Sequence, residues 1–234
     1  MGRALVVLQA RMGSERLPGK ALAPIAGGTV LRRCLERLSA AGVGDVVLAT
    51  TIAPEDDQLV EEAARLGFAS VRGSRDDVLG RFVQAVGEHP CDFVIRATAD
   101  NPAVDIDGPR RALDAVQRGD ADYCIERGLP VGGAVEAVRT TALVDLARRT
   151  TNSADREHVT IGIHRRCHRY RVKEVDAPSA VRRPDLRFTI DTADDLIFMQ
   201  GVTDALPVAL SHAPLSTIIA AADRLGRATR ENVA

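Results

Sequence analysis

Apolar residues in this chain fall either into short unbroken runs or into spaced stripes. Leu5-Val6-Val7-Leu8, Val46-Val47-Leu48-Ala49-Thr50 and Phe93-Val94-Ile95 do not alternate with polar residues, the pattern of strands covered on both faces. A shorter run, Phe68 to Val71, predicts a further strand. Between these runs the apolar spacing is helical. Thr29 is placed to cap a helix over Val30–Ser39. Ala53-Pro54-Glu55-Asp56 opens a second helix, with Leu59, Val60, Ala63, Ala64 and Leu66 facing inward and Gly67 ending it. A third starts at Asp76 and turns Val78, Leu79, Phe82, Val83 and Val86 inward, and a fourth covers Pro109–Arg118. Strand and helix in strict alternation predict an α/β fold with a doubly wound, mainly parallel sheet.

The rhythm changes near residue 126. Asp122–Ile125 reads as a strand, Gly128–Glu136 is rich in glycine, and Thr140–Arg149 reads as a helix. Ser153–Arg166 is polar and carries histidines, and Tyr170–Val175 alternates like an exposed strand. We read about residues 126–186 as an elaboration of one domain spanning 1–234. The sheet pattern returns at Arg187-Phe188-Thr189-Ile190-Asp191, read as a strand entering a helix over Thr192–Val202. Thr192 and Asp195 there have capping-box spacing. A last amphipathic helix covers about Leu215 to Leu225.

Composition narrows the function. Hydrophobic residues make up 45% of the chain but aromatics only 3%, so the core is aliphatic and base stacking on nucleic acid is disfavoured. A formal net charge of −1 gives no basic field for nucleic acid. Cys34, Cys91, Cys124 and Cys167 form no CxxC pair, which argues against a zinc ribbon or disulfide framework. No apolar run is long enough for a membrane span, and the N-terminal run is too short for a secretory segment. The expectation is a cytoplasmic protein that binds a small anion in a local pocket.

The anion pocket is expected at Gln9 to Lys20, QARMGSERLPGK, which follows the first apolar run. It holds Gly13, Ser14, Pro18 and Gly19 together with the cations Arg11, Arg16 and Lys20. Of the 31 Lys+Arg residues only Lys20 and Lys173 are lysines, so a lysine here points to a need for a compact, flexible ammonium. A glycine-bearing cationic loop at a strand end suggests a phosphate cradle. It is not a Walker A loop, because Ala21 follows the lysine, and it is not GxGxxG.

QARMGSxRLPGK resembles the N-terminal signature of the CTP-dependent cytidylyltransferases, most closely their spore-coat-polysaccharide branch. That family includes the cytidylyltransferases for 3-deoxy-manno-octulosonate and sialic acid. The resemblance extends over about residues 4–203. It implies a Rossmann-like sheet of the nucleotide-diphospho-sugar transferase type, with an inserted dimerisation and acceptor elaboration. It implies CTP as substrate, Mg²⁺ as cofactor, a small acidic acceptor and a homodimer. Lys20 and Arg11 take catalytic roles by this resemblance, and Ala10, Arg11, Met12, Gly13, Ser14 and Lys20 surround the triphosphate. RGSRDDVLGRF looks like the family's RGSEDDVLDRY, which places Thr50, Ser74 and Arg81 around the base.

Arg96-Ala97-Thr98-Ala99-Asp100-Asn101-Pro102 looks like the family's RxTxDxP segment, and FTIDTADDL like its VDTPEDL segment. The resemblance makes Asp100 and Asp191 the metal ligands, with Asp100 also at the nucleotide. Taken alone, each residue reads better as a turn or cap acid. Two such acids at one sheet edge repel without a cation between them. Neutralising either is therefore expected to leave the metal-free melting temperature equal or higher. Asp155-Arg156-Glu157-His158-Val159-Thr160 resembles the family's REHVT segment, placing Arg156 and His158 near the acceptor, with Glu136. Two departures stand out. Asn101 replaces a cysteine or acid, and PVGGAVE has Val131 and Ala134 where relatives have Asp. Two rival readings remain: a metal-dependent glycosyltransferase, on the DxD pattern Asp105-Ile106-Asp107, and a non-catalytic nucleotide-binding relative, on the altered PVGGAVE stretch.

Overall fold

A computed structural model describes residues 2–226. Seven strands form the main sheet: β1 (Ala4–Gln9), β4 (Asp45–Thr51), β5 (Ala69–Gly73), β6 (Phe93–Thr98), β7 (Tyr123–Arg127), β8 (Glu136–Arg139) and β9 (Val172–Asp176). Two-residue strands β2 (Pro24–Ile25) and β3 (Gly28–Thr29) make a separate antiparallel ribbon. The main sheet runs in the order β5-β4-β1-β6-β8-β7-β9. β1 pairs in parallel with β4 and β6, as do β4 with β5 and β7 with β9. β8 alone runs against its neighbours, antiparallel to both β6 and β7. The 126–186 stretch therefore enters the sheet itself, with β8 wedged inside it and β9 at its edge.

The unbroken apolar runs are explained by helices on both faces. Along β1, Val6 and Leu8 point into one core layer and Leu5 and Val7 into the other, all at most 1% exposed. The first layer is filled from α1 (Val30–Ala40), α2 (Asp57–Arg65), α4 (Gly108–Gln117), α8 (Ala193–Asp204) and α9 (Leu215–Arg224). The second is filled from α3 (Val78–Glu88), α5 (Thr140–Arg149) and α7 (Ile161–Arg165). The short α6 (Ser153–His158) lies against α3. Phe82 and Phe188 are completely buried, and aliphatic side chains fill most of the remaining core. No helix among the described residues is long and apolar enough to cross a membrane.

Several local expectations are met in detail. The Thr29 side chain accepts the Arg32 N–H, and Thr192 with Asp195 forms the full capping box. Gly67 takes φ 81° at the end of α2. Others need correction. Arg187–Asp191 is not a regular strand: it makes one bridge, Arg187 to Val131, and is held by Phe188 N–H to the Val131 carbonyl and Ile190 N–H to the Asp100 carbonyl. On α2, Ala64 faces solvent while Glu62 is buried, accepting the Thr29 hydroxyl at 3.1 Å. Asp107, whose position before Pro109 reads as a helix cap, sits at the start of α4 without a side-chain cap bond.

Candidate active site

The central strands end in register, Gln9 beside Ala49 on one side and Thr98 on the other. The chain leaving each of them opens on the same side of the sheet, where ligand sites of such folds form. The loop after β1 is fixed there by a buried acid. Asp56 accepts the Met12 N–H at 2.7 Å and the hydroxyls of Thr50 and Thr51. The loop then closes on itself, with the N–H groups of Ser14 and Gly19 both donating to the Met12 carbonyl. Gly19 turns the chain at φ 72°, a left-handed conformation that costs other residues roughly 1 kcal/mol. That turn directs Lys20 back toward the sheet.

Lys20 ends in an oxygen-lined position. Its ammonium donates to Asp100 Oδ2, Asp191 Oδ1 and the Ile190 carbonyl, each at 2.9 Å, and the side chain is 13% exposed. Asp191 is also held by Arg16 at 2.9 Å and by Arg187 at 2.6 Å. Arg187 reaches Asp195 as well, at 3.1 Å. Burial acts to raise the Asp191 pKa, but the bond and charge of Lys20, with Arg187 and Arg16, outweigh it and hold the carboxyl below its ordinary value. Asp100 is oriented by the Thr98 hydroxyl at 2.6 Å, which in turn accepts from the Asn101 amide at 2.7 Å. Asn101, one of the two departures, thus sets the rotamer of the residue that sets Asp100.

The expectation of a repelling acid pair is overturned. A cation already lies between Asp100 and Asp191, and it belongs to the chain. The donor set itself suits a hard divalent ion, being two carboxylate oxygens and a carbonyl converging on one point. No cluster of three or more His, Cys, Asp or Glu fit for a metal occurs among the described residues. An ion held by Asp100 and Asp191 would complete its shell with water and phosphate oxygens.

Above this centre lies a cavity of about 520 Å³. Ala10, Arg11, Gly13, Ser14, Lys20, Arg81, Asp100, His158 and Asp191 all line it, so loop, strand ends and α6 meet there. Arg16, Gln9 and Thr98 line it too. Across it Arg11 pairs with Glu157 at 3.3 Å. Arg81 is buried on the wall, its guanidinium donating to the Ser74 carbonyl at 2.6 Å. Burial lowers the Arg81 pKa, and Glu157 offsets part of that.

His158 is presented by an unusual turn. Val159 has φ 59° and ψ −64°, and the Thr160 N–H donates to the His158 carbonyl at 2.6 Å. This is a classic γ-turn, rare in general and strained for a buried β-branched residue.

Five expected site residues stand off the cavity wall. Met12 anchors the loop, and Thr50 gives its hydroxyl to Asp56. The Ser74 hydroxyl accepts from the Asp76 N–H at 3.3 Å. Glu136 is taken by Arg96 and the Thr160 hydroxyl. Arg156 binds Asp77 at 3.1 Å and the carbonyls of Ala147 and Thr150. The sequence reading passed over Glu157, Asp56 and Arg187. A first-turn acid such as Asp56 gives no signal that it reaches back to a loop, and an ion pair between distant segments leaves no local pattern. The DxD stretch is not at the site: Asp105 is 2% exposed and paired with Arg111, while Asp107 faces solvent on another element.

Comparison with known proteins adds an independent line. The family model for cytidylyltransferases matches residues 5–214. The spore coat polysaccharide biosynthesis protein SpsF of Bacillus subtilis (strain 168) is 34% identical over 201 residues, covering 83% of this chain and 84% of that protein. The structure of a cytidylyltransferase from Leptospira borgpetersenii superposes with a TM-score of 0.89 at 24% identity, covering 99% of this chain and 98% of that one. The structure of CMP:2-keto-3-deoxy-manno-octonic acid synthetase complexed with CTP superposes with a TM-score of 0.64 at 17% identity, covering 86% and 98%.

Proposed function

The chain belongs to the cytidylyltransferase family, and on that premise we propose that it moves CMP from CTP onto an acidic acceptor and releases pyrophosphate. The acceptor is a sugar acid, another hydroxylated acid or a phosphonate. The observation that carries this reading is the arrangement of Arg11, Arg16 and Lys20 against Asp100 and Asp191 at one cavity mouth. In the transfer an acceptor oxygen attacks the α-phosphorus, the bond to the bridging oxygen of the β-phosphate breaks, and pyrophosphate carries away the charge. Arg11 and Lys20 stabilise that charge, a role whose loss commonly costs on the order of 10²-fold in rate. Arg81 and the strand-end residues hold the base. His158 lines the cavity, and we assign it the acceptor side and the removal of the hydroxyl proton. Mg²⁺ would be held by Asp100 and Asp191, and when bound it supplies charge neutralisation and alignment of the triphosphate.

Pyrophosphate release tests the reading. With Mg²⁺ and a panel of sugar acids, hydroxy acids and phosphonates, release is expected from CTP and not from UTP, ATP or GTP. Equal use of all four nucleotides, or CTP binding without turnover across the panel, overturns it. The glycosyltransferase reading loses its support because Asp105 is locked to Arg111 away from the cavity. We also assign the enzyme to the cytoplasm and to a homodimer formed through the 126–186 elaboration. A dimer mass by light scattering at micromolar concentration is the expected result.

A further inference from the structure

We infer that Lys20 serves as the resident counter-ion of the Asp100–Asp191 pair and must vacate it when a divalent cation and CTP arrive, so that metal and nucleotide bind as a linked pair. The inference rests on the metal-dependent reading above and adds to it a conformational step of one named side chain. The geometry carries it. Lys20 Nζ lies 2.9 Å from Asp100 Oδ2, 2.9 Å from Asp191 Oδ1 and 2.9 Å from the Ile190 carbonyl. These are the oxygens an incoming cation would use. A divalent ion bound at about 2.0–2.1 Å to either carboxylate oxygen would sit within a few ångströms of the ammonium. Two positive centres cannot share that space without strong repulsion. Without nucleotide, the other acids on the cavity wall are the single carboxylates of Glu15 and Glu157, and Glu157 is already paired with Arg11. A triphosphate in the cavity supplies a multiply charged anion, because Lys20 and Arg16 both line that cavity. Arg16 shares the same Asp191 oxygen and is 65% exposed, so it is free to swing with the nucleotide.

The composition provides the probe. Lys20 and Lys173 are the only lysines, and Lys173 is paired with Asp120 on β9, far along the sheet order from β1. Protein labelled with ε-¹³C lysine gives two signals, which Lys173→Arg assigns. Mg²⁺ alone at millimolar concentration is expected to leave the Lys20 signal in place, and Mg²⁺ with CTP to shift it while Lys173 stays put. In parallel, free Mn²⁺ is measured by electron paramagnetic resonance without nucleotide. Lys20→Met is expected to bind Mn²⁺ at least tenfold more tightly than the wild type, with both proteins first shown to be folded by thermal melting. If Mn²⁺ binds the wild type in the presence of CTP yet the Lys20 signal does not move, this inference falls and the metal reading stands. It falls also if folded Lys20→Met binds Mn²⁺ no more tightly than the wild type. If Mn²⁺ binds neither protein even with saturating CTP, the metal reading itself is wrong and the inference goes with it. Should Lys20→Met not fold, the wild-type lysine signals decide alone.

Discussion

At the scale of single residues, the exchange of charge around Asp191 governs both stability and chemistry. Three cations hold that carboxylate, and its side chain is only 15% exposed. Hydrogen bonds to charged groups at such sites contribute about 1.5–3 kcal/mol. Asp191→Asn and Asp100→Asn are therefore expected to lower the metal-free melting temperature by several degrees and to abolish turnover. In turnover the double variant should lose little more than either one, because either change breaks the same site. An unchanged or raised melting temperature in calorimetry would contradict this. Acid should act in the same direction. A carboxyl whose folded pKa is depressed contributes stability that is complete above the ordinary carboxylate value, about 3.9, and is lost as pH falls through the lower folded value. Melting curves below about pH 4 should thus converge for wild type and Asp191→Asn. Lys20 was legible because it is one of only two lysines in an arginine-rich chain and sits in a loop that also holds Gly13 and Gly19. Its partners were legible only as two strand-end acids. That the lysine itself bridges them depends on how Gly19 turns the chain, which the residue order alone does not specify.

Among the elements, the caps at Thr29 and Thr192 and most of the apolar stripes were readable, and irregular backbone was not. The Thr192 capping box and the Thr29 cap follow from spacing and appear as read. Arg187–Asp191 was misread because Phe188-Thr189-Ile190, with its two large apolar residues either side of a β-branched one, looks like a strand, while here it is held between the Val131 loop and Asp100. The γ-turn at Val159 is the sharpest case. No sequence rule puts a valine at φ 59°, yet that turn sets His158 on the cavity wall. Relief of such strain gains of order 1–3 kcal/mol, and deleting a buried valine side chain costs about 1.5–3 kcal/mol. Val159→Gly should therefore shift the melting temperature by no more than a few degrees. The same change frees His158, so the KM for acceptor should rise several-fold while the KM for CTP stays constant. A large loss of stability with unchanged kinetics would show that the turn serves packing only.

For the whole molecule, the alternating pattern of the first half was sufficient to read a parallel doubly wound sheet, because each unbroken apolar run requires cover on both faces. The second half was harder, since β8 is short and pairs not only with β7, the strand before it, but also with β6, from which a whole helix and β7 separate it in the chain. Its position has a consequence for how the chain is made. Once Thr98 has left the ribosome, β5, β4, β1 and β6 can pair as a parallel half-sheet, but β6 gains its second partner only when Arg139 emerges. At ordinary rates of synthesis that is a delay of roughly 2–8 s. During it the run Phe93-Val94-Ile95 presents an open edge, the kind of surface on which chains add to one another. A fragment comprising residues 2–122 should accordingly form large, polydisperse oligomers or precipitate at micromolar concentration, whereas the full chain stays at the defined dimer mass. Light scattering on the two would decide it, and a monodisperse fragment would mean that β6 is shielded by something other than β8. The antiparallel wedge is thus what closes the exposed edge of β6 during synthesis, and slowing the ribosome between residues 98 and 139 should lower the yield of enzyme more than a pause anywhere after it.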